Sequence, residues 1–291
     1  MKKLISLFLS VSVLLLAACS KQPDTASSEQ KNDAAGLQTV VIASTGSDAD
    51  IWRHIASLPE TKAAGIKLEV KNFTDYVAMN TAVANKEVDL NAFQSYAYLV
   101  AFNAANKDKI APVSTTYLEP MGIYSNKVKK VEEFAQGATI AIPNDGANES
   151  RALLLLQSAG LIKLKPDFDP VKGTPADIIE NSKKIVIKPI QMATAVRVKD
   201  EVDAILLGNT LAMEGGLNVL KDAIFYEPID QSTKLNINIL ATAESRKDDP
   251  VLQKVGALYH TEAVKKYVQE HFAGTKVAVN KPTSYLTEAN P

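Results

Sequence analysis

Short β-branched apolar runs alternate with helical stretches along most of this chain, and that alternation restricts the folds open to it. TVVIA at 39–43, GIKLEV at 65–70, VDLNAF at 88–93 and the run 110–117 read as strands. Helices are expected between them, beginning near Asp48, at Thr74 or Asp75, and at Tyr96. The alternation resumes with strands at 139–142, 185–190 and 202–207, and with helices after Asn148, over 191–198 and from Asn209. Helical stretches rich in Val, Leu, Lys and Tyr then occupy 250–272. Strands alternating with helices throughout predict an α/β architecture with parallel sheets covered on both faces. The two series are separated by EPMGIYS at 119–125, an extended segment, and LNINIL at 235–240 reads as a second crossing. Two lobes joined by two crossings fit this better than one large sheet. One lobe is expected to hold residues 37–118 and 241–291, the other 119–240.

In such sheets ligands sit outside the carboxyl ends of strands. This chain places Ser44-Thr45, Phe93-Gln94, Asn148 with Arg151, and Asn209 at those ends. The most informative is TIAIPNDGANESRALLLL at 139–156. A buried strand leads into a PNDG turn; Asn148 is expected to cap the helix that follows and Gly160 to end it. Arg151 then falls in the first turn, where the helix dipole disfavours a cation. Such a junction already suits an anion, and a guanidinium adds a fork matched to a carboxylate. The expectation is a junction that grips the carboxylate of a small ligand. Arg151→Ala should then abolish tight binding and leave the fold intact. Taken locally, Arg151 pointing to solvent or pairing with Glu149 or Asp145 fits the residues equally well.

The amino terminus is read separately. Lys2 and Lys3, an apolar stretch over 4–16 broken only by Ser6, Ser10 and Ser12, and LAAC at 16–19 form a secretory leader too short to span a membrane. LAAC resembles the bacterial lipobox and holds the chain's only cysteine, Cys19. The resemblance implies cleavage after residue 18 and acylation of Cys19. Several acyl chains anchor stably, since each buried methylene adds about 0.8 kcal/mol. A secreted protein with a lone exposed thiol is the poorer reading. Residues 19–36, rich in Ser, Gln, Asp, Ala and Lys, read as a flexible tether.

The formal net charge of −1 and the absence of a basic block argue against nucleic-acid binding. Neither GxGxxG nor GxxxxGK[ST] occurs, no HExxH surrounds His54, His260 or His271, and no GxSxG marks a nucleophile. Asp50 and His54 share a helix face but lack the further ligands a metal requires. Catalysis, a cofactor and a metal therefore have no positive support, and a binding protein rather than an enzyme is expected.

Five motifs in order carry a family resemblance: FTDYV at 73–77, DLNAFQ at 89–94, EPMGIYS at 119–125, PND at 143–145, and Arg151 leading into LLLL at 153–156 with GLIKL at 160–164. Over about residues 39–272, and in the leader, the chain resembles the methionine-binding lipoprotein (MetQ/NlpA) family, the substrate-binding components of ABC importers. The resemblance implies a two-lobe, type II periplasmic-binding-protein fold that closes on its ligand. Carried over by position, Arg151 would hold an amino acid's carboxylate. Asn148, Asn209 and Asn238 would hydrogen-bond the carboxylate and ammonium. Tyr76 and Phe93 would line the side-chain pocket, where a thioether gains about 0.3–1.5 kcal/mol from aromatic contact. Glu119 would bind an ammonium group or brace the hinge. From the residues alone, Tyr76 is a core tyrosine and Asn238 a polar strand residue facing solvent.

The chain departs from the family pattern in three places near the expected cleft. Ser95-Tyr96 follows NAFQ where the family often has His, Tyr117-Leu118 precedes Glu119-Pro120, and Gly46-Ser47 stands where Gly-Pro is common. The ligand is thus open among L-methionine, D-methionine, a methionine dipeptide and another amino acid. The implied partners are the permease and ATPase subunits of an importer. A monomer is expected, lipid-anchored in the cell envelope and facing the periplasm or exterior. A surface lipoprotein with an adhesion or partner-binding role, and a hydrolase using the cleft, stay open because fold does not fix function.

Overall fold

The computed structural model describes residues 36–229 and 231–288; the leader, Cys19 and the tether up to residue 35 lie outside the described residues. The first part of the chain supplies strands β1 (Gln38–Ser44), β2 (Ile66–Asn72), β3 (Leu90–Ser95) and β4 (Ile110–Thr115). Helices α1 (Gly46–Ser57), α2 (Pro59–Ala63), α3 (Tyr76–Ala84) and α4 (Tyr96–Ala105) separate them. After the short β5 (Tyr117–Leu118), the chain runs through β6 (Met121–Tyr124), β7 (Thr139–Pro143) and helix α5 (Gly146–Ser158). A small hairpin, β8 (Lys163–Leu164) with β9 (Ile178–Glu180), precedes β10 (Val186–Ile190) and β11 (Ala204–Gly208). Helices α6 (Asn209–Glu214) and α7 (Val219–Asp222) and strand β12 (Phe225–Tyr226) follow. The chain returns along β13 (Asn238–Ala243) and ends with α8 (Pro250–Leu258), α9 (Glu262–Phe272) and β14 (Val277–Ala278), which pairs with β5.

Two five-stranded sheets result, in the orders β2-β1-β3-β13-β4 and β10-β7-β11-β6-β12. In the first, β1 pairs in parallel with β2 and β3, whereas β13 is antiparallel to β3 and β4. In the second, β7 is parallel to β10 and β11, whereas β6 is antiparallel to β11 and β12. A single strand thus opposes the rest in each sheet. In both cases it is the strand by which the chain arrives from the other lobe. The strand expected at 235–240 overlaps β13 but starts and ends three residues before it, and the helix expected over 191–198 is a 3-10 helix, Met192–Val198.

Each sheet is buried on both faces because successive residues of a strand point to opposite sides. Val40 and Ile42 pack with Trp52, Ile55 and the α8–α9 residues Leu252, Val264 and Val268. Ala43, one residue on, packs against Met79, Val83 and Leu99 on the other side. In the second sheet Ile140 and Ile142 face Leu153 and Leu156 of α5, while Ala141 and Ile205 face Met192, Ala212 and Val219. Each fully buried Ile or Leu contributes about 1.5–3 kcal/mol. The lobes touch where α4 meets α5, through Ala97, Ala147 and Val171.

Candidate functional site

Helix α5 sets the site. Its N-cap is Asp145, whose carboxylate accepts from the Asn148 backbone N–H at 3.1 Å and from its Nδ2 at 2.8 Å. Asn148 is therefore not the cap, as expected from the sequence, but a residue oriented by it. The helix begins at Gly146, so Arg151 lies past the first turn and the dipole penalty expected there falls away. At the far end Gly160 takes φ +73° and closes the helix as expected, its N–H donating to Gln157 O at 2.9 Å.

Arg151 is neither solvent-facing nor paired with Glu149 or Asp145. It is 7% exposed, and its Nε donates to both oxygens of Glu227 at 2.8 and 3.1 Å. Its Nη2 donates to Glu227 Oε2 at 2.5 Å and to Glu119 O at 2.8 Å. Glu227 is itself fixed by the Met121 N–H at 2.8 Å. Burial alone would lower the guanidinium's pKa, but Glu227 outweighs it and the charge is held more firmly than usual. Among the described residues, the hydrogen bonds of Arg151 use Nε and Nη2, and the residue also lines the wall of a cavity.

A second buried cluster stands beside it. Lys276 Nζ bonds Glu119 Oε2 at 2.7 Å, Asp48 Oδ1 at 2.9 Å and Thr210 Oγ1 at 2.7 Å, and lies 4.1 Å from the centre of the Tyr117 ring. Tyr117 donates to Asp48 at 2.6 Å. Glu119 also accepts from Asn209 Nδ2 and Thr210 Oγ1, each at 3.1 Å. Burial pushes Glu119 upward, yet Lys276 prevails and its pKa ends below the usual glutamate range. Asp48 goes the other way, raised by burial, with the neighbouring Glu119 adding to the rise. Of the two carboxylates sharing one ammonium, Asp48 is the first to take a proton.

Between the lobes lies an inner cavity of about 60 Å³, continuous through Thr45, Tyr76, Tyr98, Met192 and Leu211 with an outer cleft of about 330 Å³. Six of the seven sequence-expected residues line the inner cavity: Tyr76, Phe93, Glu119, Asn148, Arg151 and Asn238. The seventh, Asn209, does not. It is fully buried behind Glu119, bonded to it and to Thr275. A residue that opens a helix at a strand end can point back into the hinge as readily as out, and here the Glu119 carboxylate draws it inward. Glu119 holds Asn209, Thr210 and Lys276 together. Asn238 faces the cavity rather than solvent, and its amide donates no hydrogen bond among the described residues.

Tyr76 and Phe93 form an aromatic wall with Tyr98, their ring centres 5.2 to 6.4 Å apart in tilted and edge-on contacts. Burial raises the Tyr76 phenol, so it stays neutral. Behind Phe93, Asn80, Asn91 and Gln94 bond one another through their amides at 2.7–2.9 Å, an uncharged buried network that fixes the end of β3. Several of these residues escaped the sequence reading. Tyr98 sits one turn into the helix that Ser95 caps, so its place beside Phe93 could have been inferred. Glu227 and Lys276 gave no signal, because each meets its partners from far along the chain. Asp50 pairs with Arg53 and His54 stacks on Tyr267 at 4.0 Å, an ordinary helix surface.

Arg151, the amides of Asn148 and Asn238, the carboxylates of Asp48 and Glu119 and an aromatic wall enclosed between two α/β lobes define a small-molecule binding protein of the two-lobe class. The NlpA lipoprotein family matches residues 40–280. A "Probable D-methionine-binding lipoprotein MetQ" of Pasteurella multocida is 34% identical over 272 residues, covering 94% of this chain and 96% of that one. A solved structure, the substrate binding protein of a methionine transporter from Streptococcus pneumoniae, is 39% identical with a TM-score of 0.76, covering 83% of this chain and 95% of that one. Another, a nutrient binding protein from Burkholderia cenocepacia bound to methionine, is 34% identical with a TM-score of 0.77, covering 82% and 99%. The chain belongs to the NlpA/MetQ lipoprotein family, whose members serve as substrate-binding proteins. No helix among the described residues is long and apolar enough to cross a membrane.

Proposed function

We propose that this protein captures methionine or a close relative between its lobes and delivers it to the permease of an ABC importer, whose ATPase subunits drive release. The single observation that carries this reading is Arg151 in the wall of the cavity that Tyr76, Phe93 and Tyr98 also line. Nη1 would meet the ligand carboxylate with the Asn148 and Asn238 amides beside it. Asp48 and Glu119 provide negative charge for the ammonium, and the rings and Met192 provide the surface for a thioether. Burying a zwitterion is tolerable only when both charges find partners. Asn209 supports the site from behind through Glu119 and does not touch the ligand.

The same reading has residues 37–118 with 241–291 and residues 119–240 acting as separately moving lobes. The protein works as a monomer, held by acylated Cys19 and facing the periplasm or exterior. It performs no chemistry; ligand shifts the open–closed balance by binding the closed form more tightly. Melting curves with L-methionine, D-methionine, methionine dipeptides and non-sulfur amino acids test it. A ligand at about a hundred times its dissociation constant adds about 2.7 kcal/mol of stability. A sulfur amino acid should therefore raise the melting temperature more than its sulfur-free analogue; equal or absent shifts would overturn the assignment.

A further inference from the structure

The second lobe has another cavity, at the opposite end of β6 from Glu119, with a volume of about 360 Å³. Three lysines line it: Lys129 beyond β6, Lys199 at the end of the Met192–Val198 3-10 helix, and Lys221 on α7. Among the described residues none of the three has a carboxylate within ion-pairing distance. Of the nearby acids Asp203 is ion-paired with Lys127, Asp200 accepts from Asn126 Nδ2, and Asp222, the one carboxylate in the lining, accepts from the Asn218 N–H at 2.7 Å and keeps its charge against the three lysines. Tyr124 also lines the cavity, at 1% exposure, and its buried hydroxyl has no hydrogen-bond partner among the described residues. A buried hydroxyl without a partner costs about 1–3 kcal/mol. Three lysines from separate elements against the single carboxylate of Asp222 leave the lining with a surplus of positive charge.

We propose that this cavity is a second binding site, for an oxyanion of the phosphate class, held by Lys129, Lys199 and Lys221 with Tyr124 as a neutral donor. Burial keeps the Tyr124 phenol protonated, and its hydroxyl, closed off from the cavity in this structure, donates to a bound oxygen once the ring shifts toward it. The same chemistry describes free phosphate and the phosphodiester headgroup of an anionic lipid. The site is independent of the amino-acid cleft and stands or falls separately from it.

The test is titration calorimetry of the mature protein in detergent at low salt, with inorganic phosphate and, separately, with glycerophosphoglycerol. Lys129→Ala/Lys199→Ala/Lys221→Ala should weaken binding by about tenfold or more, and the affinity of the unaltered protein should fall as salt rises. A control variant lacking Lys62, Lys254 and Lys266 should keep full affinity, and both variants should bind the amino acid unchanged. Tyr124→Phe, which removes a hydroxyl with no partner, should fold normally and bind the anion several-fold more weakly. Preference for glycerophosphoglycerol identifies a lipid headgroup as the source, and preference for phosphate a free anion; either supports the site. Absence of heat with both compounds, or equal loss in the two triple variants, would overturn it.

Discussion

Arg151 carries two duties that the sequence does not separate. Its Nε and Nη2 are bound to Glu227 inside the protein, and the residue lines the cavity. Removing it therefore strands a buried carboxylate, which typically costs about 3–5 kcal/mol. The simple expectation that Arg151→Ala spares the fold gives way to a coupled one: the variant loses both ligand binding and stability. Denaturant unfolding should show Arg151→Ala well below the native protein, and Arg151→Met with Glu227→Gln recovering much of the stability. Calorimetry on the double variant should still show no tight amino-acid binding. Recovery of affinity there would remove the guanidinium from the site.

At the scale of elements, the helix α5 junction rests on its cap. Asp145→Ala removes the acceptor for the Asn148 N–H and its side-chain amide, and should lower stability by about 0.5–2 kcal/mol. Because Asn148 then loses its orientation, ligand affinity should fall as well, whereas Asp75→Ala, the cap of α3, should cost similar stability; parallel melting and binding measurements on the two variants check this. What was legible in the sequence follows the same division. The strands and helices announced themselves through local periodicity, and the cavity residues at strand ends through the geometry of α/β sheets. Asn148 was taken for the cap because Asn and Asp serve alike there; which of two neighbours caps depends on where the turn ends. Glu227 and Lys276 were invisible because ion pairs across more than seventy residues leave no local trace. Asn209 stands apart from the others because its neighbour Thr210 lines the cavity while Asn209 itself donates to Glu119.

At the scale of the molecule, the Glu119–Lys276–Asp48 cluster joins α1, the hinge, α6 and the chain's last segment. Glu119 is held below its ordinary value of 4.5, so the stability it contributes is fully present above that value and lost as pH falls through the lowered one. Asp48, raised by burial, acts with the opposite sign and softens the acid loss. Glu119→Gln should thus lower the melting temperature strongly at about pH 7, and the gap to the native protein should narrow as pH falls through the lowered value, where the native carboxylate also takes its proton. Melting curves across that range measure the gap; a constant difference would show that the charge of Glu119 is not what braces the hinge.

The position of β13 has a temporal consequence. The first sheet cannot join β3 to β4 until residues 238–243 arrive to lie between them. All five strands of the second sheet come from the continuous run 121–226. A chain emerging amino end first must therefore carry its earlier-made half unfinished while the later-made half completes itself. The half that begins first is sealed last, and during that interval its waiting edges need protection from neighbours.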